Sequence, residues 1–251
     1  MFRMLTFNIA HGRGLGLYQG FHSGRGIERV LTSIADMLKE EHCDIVALQE
    51  VDVKSHWNRE INLLEHIREA ADFPHAEAGL HNMREGDKPL AYGNAVLSRY
   101  PFRACETVPF GTETLGEKGF MTADIDTPDG PLTLINLHLD YKSRKRRIEQ
   151  IEILVARLEE RGGTAASPII CGDFNSTSKA ERDAVNHLLT FVRRFDSYTL
   201  LPQDSSTFPA FLPVRSLDFI LVPERFRVVS HRVVKSYLSD HRPVLAELVL
   251  R

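Results

Sequence analysis

The sequence predicts an α/β fold in which two mixed β-sheets pack face to face with helices on the outside. Three observations lead there. Segments with an apolar period of two alternate along the chain with segments of period 3.6. Strand candidates outnumber helix candidates roughly two to one. Some strands follow one another through tight turns and others through a helix, so antiparallel and parallel pairs must coexist, and that many strands are better accommodated in two packed sheets than in one open sheet. At 251 residues the chain can bury a sizeable core, and no repeat, low-complexity tract or Pro/Ser-rich linker divides it, so one domain over residues 1–251 is expected.

In chain order, "RMLTFNI" reads as a strand. From Gly26 to Lys39 the residues Ile27, Val30, Leu31, Ile34, Met37 and Leu38 recur at helical spacing and lead into a second strand, "DIVALQE". The strands "NAVLS", "FMTADID" and "PLTLINLHLD" follow, with Pro128-Asp129-Gly130 turning the last two into a hairpin. Ile148, Ile151, Leu154, Val155 and Leu158 mark a second helix ahead of "PIIC". Val185, Leu188, Leu189, Val192 and Phe195 mark a third, and "SLDFILV" and "PVLAELVL" close the pattern as strands.

Composition narrows the function. With 43% hydrophobic and 26% charged residues, the chain has no apolar run near the roughly 18 residues that span a bilayer. The start, MFRMLTFNIAHG, lacks the apolar stretch of a secretory signal, and a cytoplasmic location is expected. Cys43, Cys105 and Cys171 are odd in number and scattered, which suggests reduced structural thiols rather than a disulfide framework or zinc site. A net charge of -3 argues against a broad electrostatic grip on nucleic acid but leaves open a small or locally read phosphate.

The informative feature is a set of polar residues at the ends of apolar strands. "LTFN" ends in Asn8, "IVALQE" in Glu50, "LINLHLD" carries Asn136 and His138, "PIICGDFN" delivers Asp173 and Asn175, "LDFILV" carries Asp218, and "SDHRPV" sets Asp240 and His241 before the last strand. Singly each has an ordinary explanation: an Asp-x-Asn turn, a satisfied core histidine, a solvated strand end. Buried carboxylates are costly unless paired or bound to a metal, so the joint occurrence demands a common destination. Carboxylates plus an amide oxygen from different strands suit Mg²⁺ or Mn²⁺ and leave histidines free for acid–base work. Asn136 and His138, two apart on a strand, share a face, and Asp218 can orient His241 as the acid of a triad does. These are the parts for attack of water on a phosphate ester.

"TFNI", "LQEV", "GNAVLSRYP", "NLHLD", "GDFNS", "LDFILV" and "SDHRPV" resemble, in order and spacing from Asn8 to Val244, the motifs of the endonuclease/exonuclease/phosphatase superfamily, the DNase I-like fold. The resemblance implies a four-layered α/β sandwich with its site at the open top of two facing sheets. It implies Glu50 as the primary Mg²⁺ ligand, with Mn²⁺ as a substitute, helped by Asn8 and, at longer reach, Asp240. Asp173 would activate water and Asn175 donate to the scissile phosphate. His241, oriented by Asp218, would bind the phosphoryl oxygens or act as the base, His138 would contact phosphate or help the leaving group, and Asn94 would lie in the strand lining the floor. Ala10 stands where abasic-site endonucleases carry Asp, which weakens a DNA-repair reading, and Arg215 stands further from Asp218 than the family's arginine does. The run "NLHLDYKSRKRRIEQ" is similar to that of a small bacterial subgroup, some of whose members are linked to phospholipid metabolism.

Lys142, Arg144, Lys145, Arg146 and Arg147 open a helix after the His138 strand, as a cationic rim or as a solvated helix start; Arg144 and Arg147 are candidate substrate contacts alongside Asn94 and Asn136. The glycine-rich stretch from His11 to Gly26 is a flexible flap over the substrate or a plain surface loop, and the polar stretch from Gly79 to Asn94 is a second candidate rim or a plain loop. The expectation is a Mg²⁺-dependent phosphodiesterase acting on a small molecule or lipid headgroup. A nuclease on single-stranded or structured nucleic acid is the enzymatic alternative, and a non-catalytic phosphate-binding module the alternative of another class. No protein partner follows from the sequence.

Overall fold

The computed structural model describes residues 1–111, 116–161 and 167–251. Its strands are β1 (Phe2–Asn8), β2 (Ile45–Asp52), β3 (His75–Arg84), β4 (Leu90–Ser98), β5 (Phe102–Pro109), β6 (Gly119–Thr127), β7 (Gly130–His138), β8 (Ile169–Asp173), β9 (Tyr198–Leu201), β10 (Asp218–Pro223), β11 (Phe226–Val233) and β12 (Val244–Leu250). The helices are α1 (Gly24–Glu40), α2 (Leu63–Ala70), α3 (Arg144–Glu160) and α4 (Ala184–Val192). Each helix begins at a side chain that accepts from a backbone N–H of its first turn: Ser23, Asn62, Ser143 and Asp183.

The strands form two six-stranded sheets, in the orders β11-β12-β1-β2-β4-β3 and β5-β6-β7-β8-β10-β9. Each sheet has one parallel pair, β1 with β2 and β7 with β8, and each pair is joined through a helix, α1 or α3. All other pairs are antiparallel. Three apolar layers result. Met4, Ile45, Ala47, Ile169, Ile220 and Ala246 fill the space between the sheets. Leu5, Phe7, Val46 and Leu48, on alternate positions of the same strands, pack outward against Ile27, Leu31, Ile34 and Ile67 of α1 and α2. Ile135, Leu137 and Ile170 meet Ile151, Leu154 and Leu188 of α3 and α4 on the other side. The expected two-sheet sandwich with outer helices is therefore the observed one.

Several element expectations need correction. The third helix ends at Val192, so Phe195 lies beyond it and is exposed. The stretch from Gly79 to Asn94 is largely the β3–β4 hairpin rather than a loop. Helix α2 and the strands β3, β5, β9 and β11 are not among the elements expected from the sequence; β5 and β11 are edge strands with mostly exposed side chains. Cys43 and Cys171 are buried free thiols, whereas Cys105 is exposed on β5.

Candidate active site

The strand directions bring the polar positions to one end of the sandwich. Asn8, His138 and Asp173 are the last residues of β1, β7 and β8, and Glu50 lies near the end of β2. Asp218 opens β10 directly opposite Asp173, and His138 faces Asp173 across the parallel β7–β8 pair. Asp240 and His241 precede β12, which runs antiparallel beside β1. A glycine is required just below Asp173: at Gly172, with φ +136°, a Cβ would come within 1.9 Å of Leu137 O. Glu50 has φ +56° where the β2–β4 register shifts between Leu48 and Val51, so a β-bulge re-aims this side chain.

Asp173, His241 and Asp218 form a buried row. Asp218 accepts from His241 Nδ1 at 2.9 and 3.1 Å through its two oxygens, and His241 Nε2 stands 3.7 Å from Asp173 Oδ2. Burial alone would lower the pKa of His241, but the Asp218 and Asp173 charges outweigh it and push it up to about 10. Burial, opposed by His241 and reinforced by Asp218, pushes Asp173 up to about 7. One oxygen of Asp173 accepts from Asn8 Nδ2 at 3.0 Å and the other from the Asn175 backbone at 2.9 Å. Asp173, Asp218 and His241 also have ligand atoms close enough to hold a cation. The direct Nδ1–carboxylate hydrogen bond instead gives Asp218 the geometry of an orienting acid.

His138 lies on the other side of Asp173, with Nε2 at 3.4 Å from Oδ2. Its Nδ1 is 3.4 Å from Lys118 Nζ. The ammonium can only donate, so Nδ1 accepts and the ring proton sits on Nε2. Burial and the Lys118 charge hold His138 well below the ordinary histidine range, and it is neutral.

Glu50 faces His11 Nε2 and Lys118 Nζ at 3.6 Å and Arg13 Nη1 at 3.9 Å. Burial would raise its pKa, but the charges of His11, Lys118 and Arg13 hold the carboxyl far below its usual range. Among the described residues none lies within hydrogen-bonding distance of this carboxylate, which is a poorly exposed anion aimed at the cavity. Asp240 Oδ2 accepts from Arg13 Nη2 at 2.6 Å, so one guanidinium bridges Glu50 and Asp240. Glu50, a carboxylate without a hydrogen bond, and the Asp240 carboxylate linked to it through Arg13 offer hard oxygen donors of the kind a divalent cation takes.

These groups open onto a cavity of about 470 Å³, lined by Asn8, Glu50, Lys118, His138, Asp173, Asn175, Asp240 and His241 together with Arg13, Arg215, Tyr141 and Phe208. Eight of the twelve expected site residues either line it or, like Asp218, back one that does; Asn94, Asn136, Arg144 and Arg147 do not. Asn136 Nδ2 donates to Leu48 O and Ala95 O, and its Oδ1 accepts from Gln49, so it ties the sheets together below the site. Asn94 Nδ2 donates to Gly119 O and Asn136 O in the same buried layer. Arg147 is bidentate to Asp183 and bonds Asp140 O, leaving no fork for a substrate. Arg144 is exposed at the start of α3, outside the cavity wall. Asn8 lines the cavity, but its amide oxygen accepts from Ala10 N while its nitrogen holds Asp173.

Sequence reasoning missed Lys118, and it left Arg13 among the loop residues and Arg215 in doubt. Lys118 sits beside Gly119, which pairs with His138, and that register carries it to the site; "EKG" ahead of a strand gives no hint of this. Arg215 reaches the cavity with its guanidinium over the Phe208 ring, 5.1 Å from the centroid.

Comparison with known proteins agrees with this architecture. The profile described as "Endonuclease/Exonuclease/phosphatase family" matches residues 5–241. The uncharacterized protein YbhP of Escherichia coli (strain K12) is 27% identical over 268 residues, covering 99% of this chain and 96% of that protein. The mannosyl-6-phosphatase Bt3783 of Bacteroides thetaiotaomicron superposes with a TM-score of 0.73 at 18% identity, covering 100% of both chains. Sphingomyelinase C from Streptomyces griseocarneus superposes with a TM-score of 0.68 at 20% identity, covering 98% of both.

Proposed function

Because the chain belongs to the endonuclease/exonuclease/phosphatase family, whose members are phosphoester hydrolases, we propose that it is a Mg²⁺-dependent phosphodiesterase acting on a small or lipid-like phosphate ester. The observation that carries this reading is the shared cavity. Asp173 with its histidines occupies one wall, the unbonded Glu50 another, and Arg13, Lys118 and Arg215 supply positive charge between them. Its volume of about 470 Å³ suits a compact headgroup or small ester. Fold likeness to both a sugar-phosphate phosphatase and a sphingomyelinase leaves that substrate class within reach of the architecture.

Mg²⁺, with Mn²⁺ as a substitute, would be held by Glu50 and Asp240 with the Asn8 amide, and when bound would neutralise charge on the phosphoryl group. Asp173 is set to take the proton of the attacking water, its two oxygens fixed by Asn8 and the Asn175 backbone. His241, kept protonated by Asp218, presents Nε2–H to a phosphoryl oxygen beside Asp173. The neutral His138 offers its Nε2–H on the opposite side of Asp173 to a second oxygen or to the leaving group. Asn175 Nδ2, with one hydrogen on Leu139 O, keeps the other for substrate.

The test is hydrolysis of bis-p-nitrophenyl phosphate, p-nitrophenyl phosphate and a labelled single-stranded oligonucleotide with added Mg²⁺ or Mn²⁺, using Asp173→Asn as control. Diester cleavage that needs metal and disappears in the variant supports the proposal. Preferential oligonucleotide cleavage falling steeply with salt would replace it with a nuclease. Metal binding without turnover of any substrate would make the cavity a binding site only.

A further inference from the structure

Apolar side chains that a folded chain ordinarily buries stand in solvent around the mouth of the cavity. The segment from Phe208 to Arg215 is a closed hairpin in which the Val214 and Arg215 amides both donate to Phe208 O. Its two ends, Phe208 and Arg215, line the cavity. Its tip carries Phe211, Leu212 and Val214 outward, at 77%, 65% and 67% exposure. From 208 to 214 the sequence FPAFLPV contains no charged or hydrogen-bonding side chain. The hairpin is fixed at its base: Ala210 N donates to Asp240 O, and Arg242 Nε donates to Ala210 O.

Asp240 also accepts from Arg13, and the loop beyond Arg13 exposes Leu17 and Phe21, at 87% and 85%, with Tyr18 packed edge-on against Phe21. On a third side Tyr141 lines the cavity while remaining exposed, and the Lys142 ammonium lies over its ring. Lys142 and Arg144 are exposed, and no described carboxylate lies within salt-bridge reach of either. Three loops from one end of the sandwich thus offer apolar and aromatic tips, with unpaired cations beside one of them.

We propose that this rim is a docking surface for a lipid bilayer carrying anionic phospholipids, with Phe211 and Leu212 entering the boundary between headgroups and acyl chains. Uncharged apolar tips suit that boundary, a tyrosine with an adjacent lysine suits the headgroup level, and unpaired cations suit an anionic leaflet. Location selects the bilayer over another occupant. A second copy of the chain or a globular partner seated on the rim would stopper the cavity, whereas a bilayer brings phosphate esters to its mouth. In this respect the inference rests on the phosphodiesterase reading.

The experiment is co-sedimentation with phosphatidylcholine vesicles with and without phosphatidylglycerol, in the presence of a chelator so that turnover plays no part. Binding to the phosphatidylglycerol vesicles that weakens with added salt is expected. The double variant Phe211→Asp/Leu212→Asp should bind on the order of tenfold more weakly, with unchanged melting temperature and unchanged hydrolysis of soluble bis-p-nitrophenyl phosphate. Lys142→Glu/Arg144→Glu should lose the preference for phosphatidylglycerol. Absence of the wild-type protein from both vesicle pellets, or undiminished binding by the Phe211/Leu212 variant, would overturn the proposal. So would light scattering that shows a wild-type dimer converted by that variant to a monomer, because the rim would then belong to a second copy. Vesicle binding without hydrolysis of any ester would leave the docking surface standing and refute only the catalytic reading.

Discussion

Asp52 holds His11 Nδ1 at 2.7 Å while the other nitrogen of the same ring stands 3.6 Å from Glu50. The site therefore rests on two acid-backed imidazoles: Asp218–His241 beside Asp173 on the cavity wall, and Asp52–His11 buried behind Glu50. Asp52 is fully buried and also accepts from Trp57 Nε1 at 2.8 Å and Asn58 Nδ2 at 2.7 Å. Asn58 in turn bonds His11 O, clamping a residue with φ +55°. Asp52 and Glu50 share β2, two residues apart, so the strand that delivers the unbonded carboxylate also anchors the ring facing it.

Asp52→Ala removes the acceptor for two buried donors and the half-buried Trp57 Nε1 at once and should destabilise the protein by about 2–5 kcal/mol. Burial lowers the pKa of His11, but the Asp52 and Glu50 charges outweigh it and the net shift is upward. The stability gained from this raised pKa is complete below the unfolded value of 6.5 and is lost as pH rises through the folded value. Thermal melts without divalent metal should show the gap between wild type and variant narrowing from acidic to alkaline buffer. It should not close, because Trp57 and Asn58 still lack their acceptor.

The ionisation states required of Asp173 and His241 coexist between about 7 and about 10. Hydrolysis should rise as Asp173 loses its proton and fall as His241 loses its own. The Asp218 charge raises both values, so Asp218→Asn should shift both limbs of the pH–rate profile of kcat/KM toward acid. A variant profile with unmoved limbs would remove Asp218 from its orienting role.

Gly172→Ala places a methyl within 1.9 Å of Leu137 O in a backbone conformation that L-residues avoid. The β7–β8 pairing that sets His138 opposite Asp173 would have to open. A loss of about 3 kcal/mol or more is expected, read as a lower denaturant midpoint with reduced activity.

Arg147→Ala distinguishes a structural from a substrate-binding arginine. Its partner Asp183 is buried and caps α4. The variant should lose about 3–5 kcal/mol, the range for removing one member of a buried pair. KM for the ester should stay unchanged in the fraction that remains folded, and a large rise in KM would restore Arg147 to the site.

The polar strand ends were legible because Asn8, Glu50, His138, Asp173 and Asp218 interrupt or terminate apolar runs, and burial makes such interruptions costly. Depth was not legible. Asn136 shares the face of His138, as period two requires, yet two residues place it roughly 6–7 Å further from the mouth, where it meets β2 and β4 instead of solvent. Arg147 was readable in principle, since it extends the buried stripe of Ile151, Leu154 and Leu158 back by one turn. Lys118 was not, because only the β6–β7 register brings a lysine from a polar turn beside His138.

Sheet order has a consequence for synthesis on the ribosome. Strand β12 lies between β11 and β1, so one flank of β1 has no partner until residues 244–250 have emerged. A nascent chain therefore carries β1 with an open edge while residues 9–243 are made, the kind of edge that invites pairing with a neighbouring chain. Asp240 and His241 emerge just ahead of that strand, so the candidate site and the closure of this sheet are completed together.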